Sequence, residues 1–501
     1  MSVARRPGDG GPRRVAPTSS GPDGAAADQD IDSEWISTDL DLRKTVTSTS
    51  DYAAVEAAIM ARAGESLIHP TLDRIRALMD LLGEPQRNYR TIHVTGTNGK
   101  TSTARMIDAL LRERHLRVGR YTSPHLTTIR ERIVIDGEPI SEQRFVETYT
   151  DILPYVEMVD AGNEVPLSFF EILTAMAYAA FADAPVDVAV IEVGLGGTWD
   201  ATNVIDADVA VITPIGLDHT DYLSDTVEGI AEEKSGIIKP GSVAVLAQQQ
   251  VAAAEVLLRR AVEVDARVAR EGMEFGVVHR DIAVGGQQLD LKGLRGSYEG
   301  VFLPLFGEHQ ANNAAVAVAA VEAFAAPSDG DEQLDTELVR AALGGVSSPG
   351  RLEVVRRSPT VLVDAAHNPA GMAATVRAVE EAFTFTRLVG VVAIMADKDI
   401  EGILGPLEPV LSEVVVTRNS SPRSLAPEEL KQLAEEVFGA ERVHLAGRLD
   451  DAIDLAVTLA EQTGEFGGAG VLITGSVVTA GDAQHLFKGA SGGPSASSER
   501  Q

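Results

Sequence analysis

One short segment of the chain combines the residue types and the spacing of a nucleotide phosphate site. Residues 91–111 read TIHVTGTNGKTSTARMIDALL, so an apolar run leads into a glycine loop and then into a helical pattern. Glycines let backbone N–H groups approach phosphate oxygens, and the N-terminus of the following helix adds partial positive charge. We therefore expect Lys100 to bind the terminal phosphates, and Thr101 or Ser102 to place a hydroxyl near Mg²⁺.

The same loop also allows a plainer interpretation. The usual phosphate loop has four residues between its glycines, and the position of the first glycine is here occupied by Val94. Taken alone, the segment is compatible with an ordinary connection from a strand to a helix. The residues that follow in the chain decide between the two interpretations.

Two further candidates follow predicted strands. Glu192 ends the apolar run Val188–Val193, and His219 follows the run Val209–Thr213. The carboxyl ends of parallel strands meet at one edge of a sheet, so this carboxylate and imidazole can face a nucleotide and hold a divalent ion. The plainer alternatives are a salt-bridged or helix-capping role for Glu192 and a surface turn for His219.

Four charged or titratable residues later in the chain are weaker candidates on local grounds. Lys234 ends a helical pattern before a glycine, where a lysine ordinarily complements the helix dipole. Arg351 carries a permanent charge that suits phosphate, although a surface position in a linker is the alternative. Asp364 suits a ribose hydroxyl or a water, but Asp364 and His367 also fit an ordinary turn from a strand into a helix.

The elements that must position these residues alternate along the chain. Apolar runs separated by alanine-rich helical stretches predict an α/β fold with mostly parallel sheets. The later runs are Val243–Ala247, Val361–Asp364, Leu388–Ile394, Val414–Thr417 and Val471–Thr474. An acidic stretch, Ala325–Asp335, predicts a surface loop within a helical region. The segment Gly344–Gly350 predicts a linker between two domains.

Length and composition limit the class of protein. A chain of 501 residues suggests two or three domains. The net charge of −31 argues against nonspecific binding to nucleic acid or to anionic membranes. With no cysteine, disulfides and thiolate sites are excluded, and no apolar run is long enough for a membrane span or a signal peptide. We expect a cytoplasmic protein with disordered tails at residues 1–48 and 489–501.

Taken together and in order, the motifs identify a family. Residues 50–488 resemble the Mur-ligase superfamily of ATP-dependent amide ligases, and within it folylpolyglutamate synthase/dihydrofolate synthase. The resemblance rests on the loop 96–101 and on the following segments: Thr122–Leu126 with Arg130–Ile133, Ser168–Glu171, Glu192–Gly197 with Asp200–Asn203, His309–Asn313, Arg351, and Asp364 with His367–Pro369. It implies a P-loop ATPase domain with a mostly parallel sheet at 49–346, followed by a smaller Rossmann-like α/β domain at 350–488.

The resemblance also implies a role for each candidate. Lys100, His219 and Lys234 would be catalytic, and Lys234 would be carbamylated, which requires a lowered lysine pKa. Two Mg²⁺ ions would be held by Ser123, Glu192 and His219. The nucleotide set would be Thr97, Asn98, Gly99, Lys100, Thr101, Ser102, Asn313, Arg351, Asp364 and His367. The pocket for the pterin-containing acid would include Leu72, Ser168, Phe169, Phe170, Glu171 and Asp200.

The implied reaction begins with transfer of the ATP γ-phosphoryl group to a carboxylate of dihydropteroate or of a reduced folate. The amino group of L-glutamate then attacks the acyl phosphate, which gives an amide, ADP and phosphate. A monomer is expected. Two alternatives stay open: an amide ligase for a peptidoglycan precursor, and an ATP-binding protein without enzymatic activity. The first is disfavoured because ligases for UDP-linked substrates carry a folded domain ahead of the ATPase, whereas about 90 residues precede Gly96 here.

Overall fold

A sheet of eight strands forms the first half of the fold. In the computed structural model, which describes residues 52–63, 69–220, 222–325, 333–462 and 468–491, the strands are β1 (Arg90–Thr95), β2 (Val118–Tyr121), β3 (Ile133–Ile135), β4 (Glu138–Pro139), β5 (Val188–Glu192), β6 (Val209–Ile212), β7 (Val243–Leu246) and β8 (Arg267–Arg270). The order across the sheet is β4-β3-β2-β5-β1-β6-β7-β8. Strands β1, β2 and β5 to β8 are parallel, whereas β3 and β4 extend one edge in antiparallel pairing.

Helices cover this sheet on both faces. Those in the described part of the first half are α1 (Tyr52–Met60), α2 (Asp73–Leu81), α3 (Lys100–Glu113), α4 (Glu142–Ala161), α5 (Phe169–Asp183), α6 (Val227–Ser235), α7 (Val251–Glu263), α8 (Glu308–Ala325) and α9 (Thr336–Gly344). Strands β5 and β6 are buried along their whole length. Burial on both faces explains why they read as continuous apolar runs rather than as alternating patterns.

A second, smaller sheet lies between β8 and α8 in the chain. Its antiparallel strands are β9 (Gly276–Ala283), β10 (Gly286–Lys292) and β11 (Ser297–Leu303), in the order β11-β10-β9. Leu289 and Leu291 of β10 join the core that α3 and α8 form with the first sheet. This antiparallel sheet was not predicted from the sequence.

The last third of the chain forms a sheet of six strands. They are β12 (Glu353–Arg357), β13 (Thr360–Val363), β14 (Arg387–Val392), β15 (Glu413–Val416), β16 (Val443–Leu445) and β17 (Ala469–Thr474). In the order β12-β13-β17-β14-β15-β16, only β12 is antiparallel to its neighbour. The accompanying helices are α10 (Pro369–Ala382), α11 (Ile400–Leu404), α12 (Pro427–Phe438), α13 (Leu449–Glu461) and α14 (Val477–Ser491).

The predicted α/β fold with mostly parallel sheets is confirmed, and each of the seven predicted apolar runs forms a parallel strand. Helix α14 continues to Ser491, and the rest of the predicted tail at 489–501 lies outside the described residues. The tail at 1–48 and most of the acidic stretch, residues 326–332, lie outside the described residues. None of the described helices is long and apolar enough to cross a membrane.

Candidate active site

The phosphate loop joins β1 to α3 at the centre of the first sheet. Because β1 lies between β5 and β6, the loop, Glu192 and the segment after Ile212 meet at one edge. Gly96 has a φ of 144° there, and a Cβ atom on it would lie 1.9 Å from Thr213 Oγ1. Gly99 is the N-cap of α3 with a φ of 90°. Both glycines are therefore required by the path of the backbone.

Lys100 lies inside this loop rather than at the surface. Its Nζ donates to the carbonyl oxygens of Gly96, at 3.0 Å, and of Thr97, at 3.1 Å. Burial lowers the pKa of Lys100, although the charges of Glu192 and Asp218 oppose the shift. The loop and Lys100 line a cavity of about 110 Å³, which we call the phosphate cavity.

Glu192 supplies a buried carboxylate to the phosphate cavity. The Thr101 hydroxyl donates to its Oε1 at 2.8 Å, whereas Oε2 is buried without a hydrogen-bond partner in the described structure. Burial raises the pKa of Glu192, and Lys100 and the Thr101 hydroxyl oppose that shift. Of the two hydroxyls considered from the sequence, Thr101 thus reaches Glu192, whereas Ser102 pairs with Ser348 at 3.1 Å. An orphaned carboxylate oxygen at this position fits a bound cation.

His219 also lines the phosphate cavity, and its backbone has a positive φ of 51°. Burial lowers its pKa to about 4, so the imidazole is neutral near pH 7 and has a free lone pair for a ligand. The neighbouring Asp218 is fixed by three groups from the last third of the chain. Lys398 Nζ lies 2.7 Å from Asp218 Oδ1, and Asn368 Nδ2 donates to Oδ2 at 2.9 Å. His367 Nε2 lies 3.7 Å from the same oxygen.

Lys234 lies in the last turn of α6, as the local pattern predicts, but it is not a surface cation. The residue is 4% exposed and lines the phosphate cavity. Burial and the nearby Lys100 lower the pKa of Lys234 to about 7, although Asp218 and Asp200 oppose the shift. A large share of this amine is therefore neutral at physiological pH.

The other predicted nucleotide residues divide into two groups. Arg351 and His367 line the phosphate cavity. Asn313 is buried beside Gly99, where a Cβ atom would lie 2.6 Å from its Oδ1. Asp364 is buried and accepts from the N–H groups of Leu352 and Ala366 and from the Thr375 hydroxyl, so it holds the segment next to Arg351. Neither Asn313 nor Asp364 is among the described residues that line the cavity.

A second and larger cavity, of about 320 Å³, adjoins the phosphate cavity, and we call it the acid cavity. Its apolar wall includes Phe170, Leu195, Trp199, Tyr222, Met395 and Val477, and its cationic groups are Arg74, Lys398 and Arg423. Ser168, Glu171 and Asp200 also line it, as the sequence predicts. Leu72 and Phe169 are buried but are not among its described lining residues. The Cζ atom of Arg132 instead lies 5.0 Å from the centre of the Phe169 ring.

The two cavities share a wall. Ser123, Pro124, Gly194, Leu195, His219, His367 and Val477 line both of them. A phosphate bound beside Lys100 and an acid bound in the larger cavity would therefore meet at Ser123 and His219. This geometry is what a transfer between a nucleotide and a carboxylic acid requires.

Comparison with known proteins gives the family. The Mur ligase middle domain matches residues 94–321, and the Mur ligase glutamate ligase domain matches residues 350–477. A dihydrofolate synthase/folylpolyglutamate synthase of Mycobacterium tuberculosis is 54% identical over 454 residues, which cover 86% of this chain and 93% of that protein. The chain belongs to the folylpolyglutamate synthase family of Mur ligases.

Solved structures of this folylpolyglutamate synthase family share the fold. The structure of Mycobacterium tuberculosis folylpolyglutamate synthase complexed with ADP has a TM-score of 0.83 and 54% identity, covering 87% of this chain and 98% of that one. The structure of Escherichia coli FolC in complex with DHPP and ADP has a TM-score of 0.76 and 27% identity, covering 88% of this chain and 98% of that one. The resemblance seen in the sequence is confirmed.

Several residues at the site of this Mur ligase were missed in the sequence. Arg74, Trp199, Lys398 and Arg423 line the acid cavity, and Asn368 connects Asp218 to the loop residue Asn98. Lys398 follows β14 in the segment MADKD, so its place after a strand was a usable signal. Arg74 and Arg423 carried no such signal, because tertiary contacts alone bring them to the cavity.

Proposed function

We propose that this ATP-dependent ligase joins L-glutamate to dihydropteroate and to reduced folates in a single site. The observation that carries the proposal is the shared wall between the phosphate cavity and the acid cavity. An acid carboxylate placed at that wall can attack the terminal phosphoryl group of ATP. The resulting acyl phosphate then faces the amino group of glutamate, and the products are an amide, ADP and phosphate.

The chain's own charges suit the phosphoryl transfer. Lys100 and Arg351 both line the phosphate cavity, and both are cations beside a site for a highly charged triphosphate. Such fixed charges stabilise the negative charge that spreads over the oxygens in the transition state. The net charge of −31 makes this local concentration of cations necessary, because the rest of the protein repels ATP.

The donor set of the phosphate cavity fits Mg²⁺. The unpartnered Oε2 of Glu192, the neutral imidazole of His219 and the hydroxyl of Ser123 all border it. No group of three or more His, Asp or Glu side chains that could hold a metal occurs among the described residues. We infer that Ser123, Glu192 and His219 hold two Mg²⁺ ions together with phosphate oxygens. The ions would supply Lewis-acid charge to the phosphoryl group.

Lys234 supports a carbamate in this proposal. Carbamylation requires a neutral amine, and the pKa of about 7 leaves Lys234 substantially neutral at physiological pH. Lys234 is 4% exposed, and the charges of Asp218, Asp200 and Glu233 only partly offset the effect of burial on its pKa. Addition of CO₂ to the neutral amine would form an N–C bond and release one proton, which gives a carbamate anion that can face a metal. We therefore assign a carbamylated Lys234 to the phosphate cavity.

Two cations that line the acid cavity suit the second substrate. Lys398 and Arg423 both line it, and their present partners are the carboxylates of Asp218 and Asp397. Glutamate carries two carboxylates, which can replace or join those partners. The aromatic side chains of Phe170 and Trp199, which also line the cavity, offer flat apolar surfaces for the pterin ring.

One product assay tests the proposal. The purified chain is given ATP, Mg²⁺ and L-glutamate with either dihydropteroate or tetrahydrofolate, and products are separated by mass spectrometry. We expect dihydrofolate from the first acid and glutamate-extended folate from the second, each with one ADP per amide. Turnover of a UDP-linked muropeptide instead would favour the peptidoglycan alternative. Absence of glutamate-dependent ADP release with every acid would overturn the ligase assignment for this chain.

The cellular location and the oligomeric state complete the proposal. We propose a cytoplasmic location, because ATP and glutamate are cytoplasmic metabolites. We propose that the protein is a monomer, and light scattering during the same purification checks this.

A further inference from the structure

Three buried polar side chains form a chain behind the acid cavity that the reaction described above does not use. His93 lies in the central strand β1 and is fully buried. Its Nε2 lies 2.9 Å from Thr202 Oγ1, and the Thr202 hydroxyl in turn donates to Asp200 Oδ1. Asp200 lines the acid cavity. The three residues therefore connect the interior of the first sheet to the cavity wall.

The positions of the protons follow from the contacts. The Thr202 hydroxyl has one proton, which goes to the Asp200 carboxylate because an ionised carboxylate can accept but not donate. The hydroxyl must then accept from His93, so His93 carries its proton on Nε2. Burial lowers the pKa of His93 well below its usual value, which keeps the ring neutral.

This arrangement leaves His93 Nδ1 buried without a hydrogen-bond partner in the described structure. A buried acceptor without a partner costs about 1–3 kcal/mol. An aliphatic residue at this position of β1 would avoid that cost, as the flanking Ile92 and Val94 do. The imidazole is therefore poorly explained by stability and better explained by its contact with Thr202.

Asp200 has one acceptor position to spare. Its Oδ1 accepts from the Thr202 N–H, at 3.0 Å, and from the Thr202 hydroxyl. Its Oδ2 accepts from the Leu195 N–H at 2.8 Å. A carboxylate offers about four lone-pair positions, so one on Oδ2 is left for a donor in the cavity.

We propose that His93 and Thr202 are positioning residues that keep the Asp200 carboxylate ionised and oriented to accept an N–H of the pterin ring. The inference rests on the proposed function, because it takes the occupant of the acid cavity to be a pterin-containing acid. The His93 N–H polarises the Thr202 hydroxyl, and a polarised hydroxyl is a stronger donor to the carboxylate. This relay of His93, Thr202 and Asp200 thus opposes the effect of burial on the pKa of Asp200.

The charges around the relay give the sign of the expected effect. Burial raises the pKa of Asp200 to about 6, although the Leu195 and Thr202 donors and the charge of Lys234 oppose the shift. The cation that faces His93 is Lys239. Loss of the Thr202 hydroxyl removes a donor to the charged form of Asp200, so its pKa must rise further.

The test compares Thr202→Val with Thr202→Ser, since serine keeps the hydroxyl. The measured quantity is kcat/KM for dihydropteroate as a function of pH, at saturating ATP and glutamate. We expect Thr202→Val to move the acid limb of the profile to higher pH. This shift should lower kcat/KM about threefold to tenfold at pH 7 and leave it within about twofold of wild type at pH 9. Thr202→Ser should keep the wild-type limb, and KM for ATP should stay within about twofold in both variants.

A second pair tests the far end of the relay. His93→Leu should give the same shift of the acid limb, whereas His93→Gln, which keeps an N–H donor, should restore most of it. Tyr178→Phe is the matched control, because the Tyr178 hydroxyl donates to the backbone oxygen of Thr202 at 2.7 Å and not to its side chain. We expect it to lower the melting temperature without moving the limb. Melting curves of all variants identify any that fail to fold.

The outcomes separate the relay from the proposed function. A wild-type enzyme that makes no dihydrofolate contradicts the proposed function. An active wild type with a folded Thr202→Val variant that has an unchanged limb and an unchanged KM for dihydropteroate overturns the relay. An equal loss at every pH, accompanied by a higher KM for ATP, also overturns it, because that pattern indicates general damage to the sheet. If Thr202→Val does not fold, the His93→Gln and His93→Leu comparison decides in the same way.

Discussion

Glu192 is buried, which disfavours its charged form, and one of its carboxylate oxygens has no partner among the described residues. It is 1% exposed, and burial raises its pKa, so the charged form is costly to hold. Its Oε2 nevertheless has no protein partner in the described structure. The proposed Mg²⁺ would supply the partner that this oxygen lacks, and the sequence predicts a metal ligand here from its position at the end of a strand.

Glu192→Gln should abolish turnover and leave the fold intact. Glutamine keeps the shape of the side chain and can still accept from Thr101, but it removes the charge that Mg²⁺ needs. We expect kcat to fall at least about 10²-fold at saturating ATP and Mg²⁺. The melting temperature should stay unchanged or rise slightly, because a costly buried carboxylate is removed. Near-normal turnover, or an unfolded protein, would contradict a metal-ligand role.

The pKa of Lys234 predicts how the stability of the protein depends on pH. Its pKa of about 7 in the folded protein is below the usual lysine value near 10.5. Between these two values the unfolded chain binds one more proton than the folded protein, so this group makes stability rise with pH in that window. Below pH 7 both states are protonated and the full cost of a buried cation is present.

Lys234→Met should therefore raise the melting temperature most at pH 6 to 7 and least near pH 10, measured without added bicarbonate. If Lys234 carries a carbamate beside Mg²⁺, the same variant should lose most of its turnover. A small carboxylate such as acetate should restore part of the rate by occupying the vacated space. An exposed cation at a helix end would instead change stability by a few tenths of a kcal/mol and leave turnover unchanged.

Among the elements, the turn from β1 into α3 is the most constrained by its surroundings. Gly96→Ala would place a Cβ atom 1.9 Å from Thr213 Oγ1 and 2.8 Å from the Thr213 carbonyl oxygen, at a φ of 144°. Backbone must move to accept it, so we expect a loss of about 2–3 kcal/mol in stability. Binding of a fluorescent ATP analogue should be lost as well, because the loop is displaced.

Gly405→Ala is a suitable control for this variant. No atom lies within 4 Å of a Cβ atom at Gly405, and its φ of −52° is helical. Alanine there should leave the melting temperature unchanged or raise it slightly. A Gly96→Ala enzyme with normal melting and normal ATP binding would show that the loop tolerates the displacement.

The strands also show how much of the fold could be predicted from the sequence. Val188–Val193 and Val209–Thr213 were identifiable as strands because burial on both faces makes them continuous apolar runs. Strands β9 to β11 were missed because they are partly exposed and pair antiparallel, so their apolar residues are scattered among polar ones. The available turn signal was Gly285, which lies with Val284 between β9 and β10, and Gly286 at the start of β10.

For the site, the sequence located the residues at strand ends and missed those that tertiary contacts bring in. Glu192, His219 and the phosphate loop each follow a strand, where parallel sheets place their chemistry. Arg423 lies 26 residues from its partner Asp397 in the chain and follows no predicted strand end directly. The burial that lowers the pKa of Lys234 could not be read locally either, because a helix end is usually exposed.

At the scale of the whole molecule, segments next to the eight-stranded and the six-stranded sheets both contribute to the phosphate cavity. Arg351 and His367 come from the last third of the chain, whereas the phosphate loop belongs to the first sheet. Asp218 connects them, since it contacts Lys398 and Asn368, and Asn368 exchanges amide hydrogen bonds with Asn98 at 3.1 and 3.3 Å. The site is thus assembled from distant segments that a buried carboxylate holds together.

Lys398→Met tests this assembly and the glutamate assignment together. The Lys398 and Asp218 side chains are 11% and 8% exposed, so removal of the cation leaves a buried charge without its main partner. We expect a loss of about 3 kcal/mol in stability, which the double variant Lys398→Met/Asp218→Asn should partly recover. KM for glutamate should rise at least about tenfold, because a cation for a substrate carboxylate is lost, while KM for ATP should change less.

Lys431→Met is the control, because it removes a more exposed lysine, 40% exposed and paired with Glu435. It should change neither KM value. If Lys398→Met keeps its melting temperature and its KM for glutamate, Lys398 neither holds Asp218 in place nor binds the second substrate.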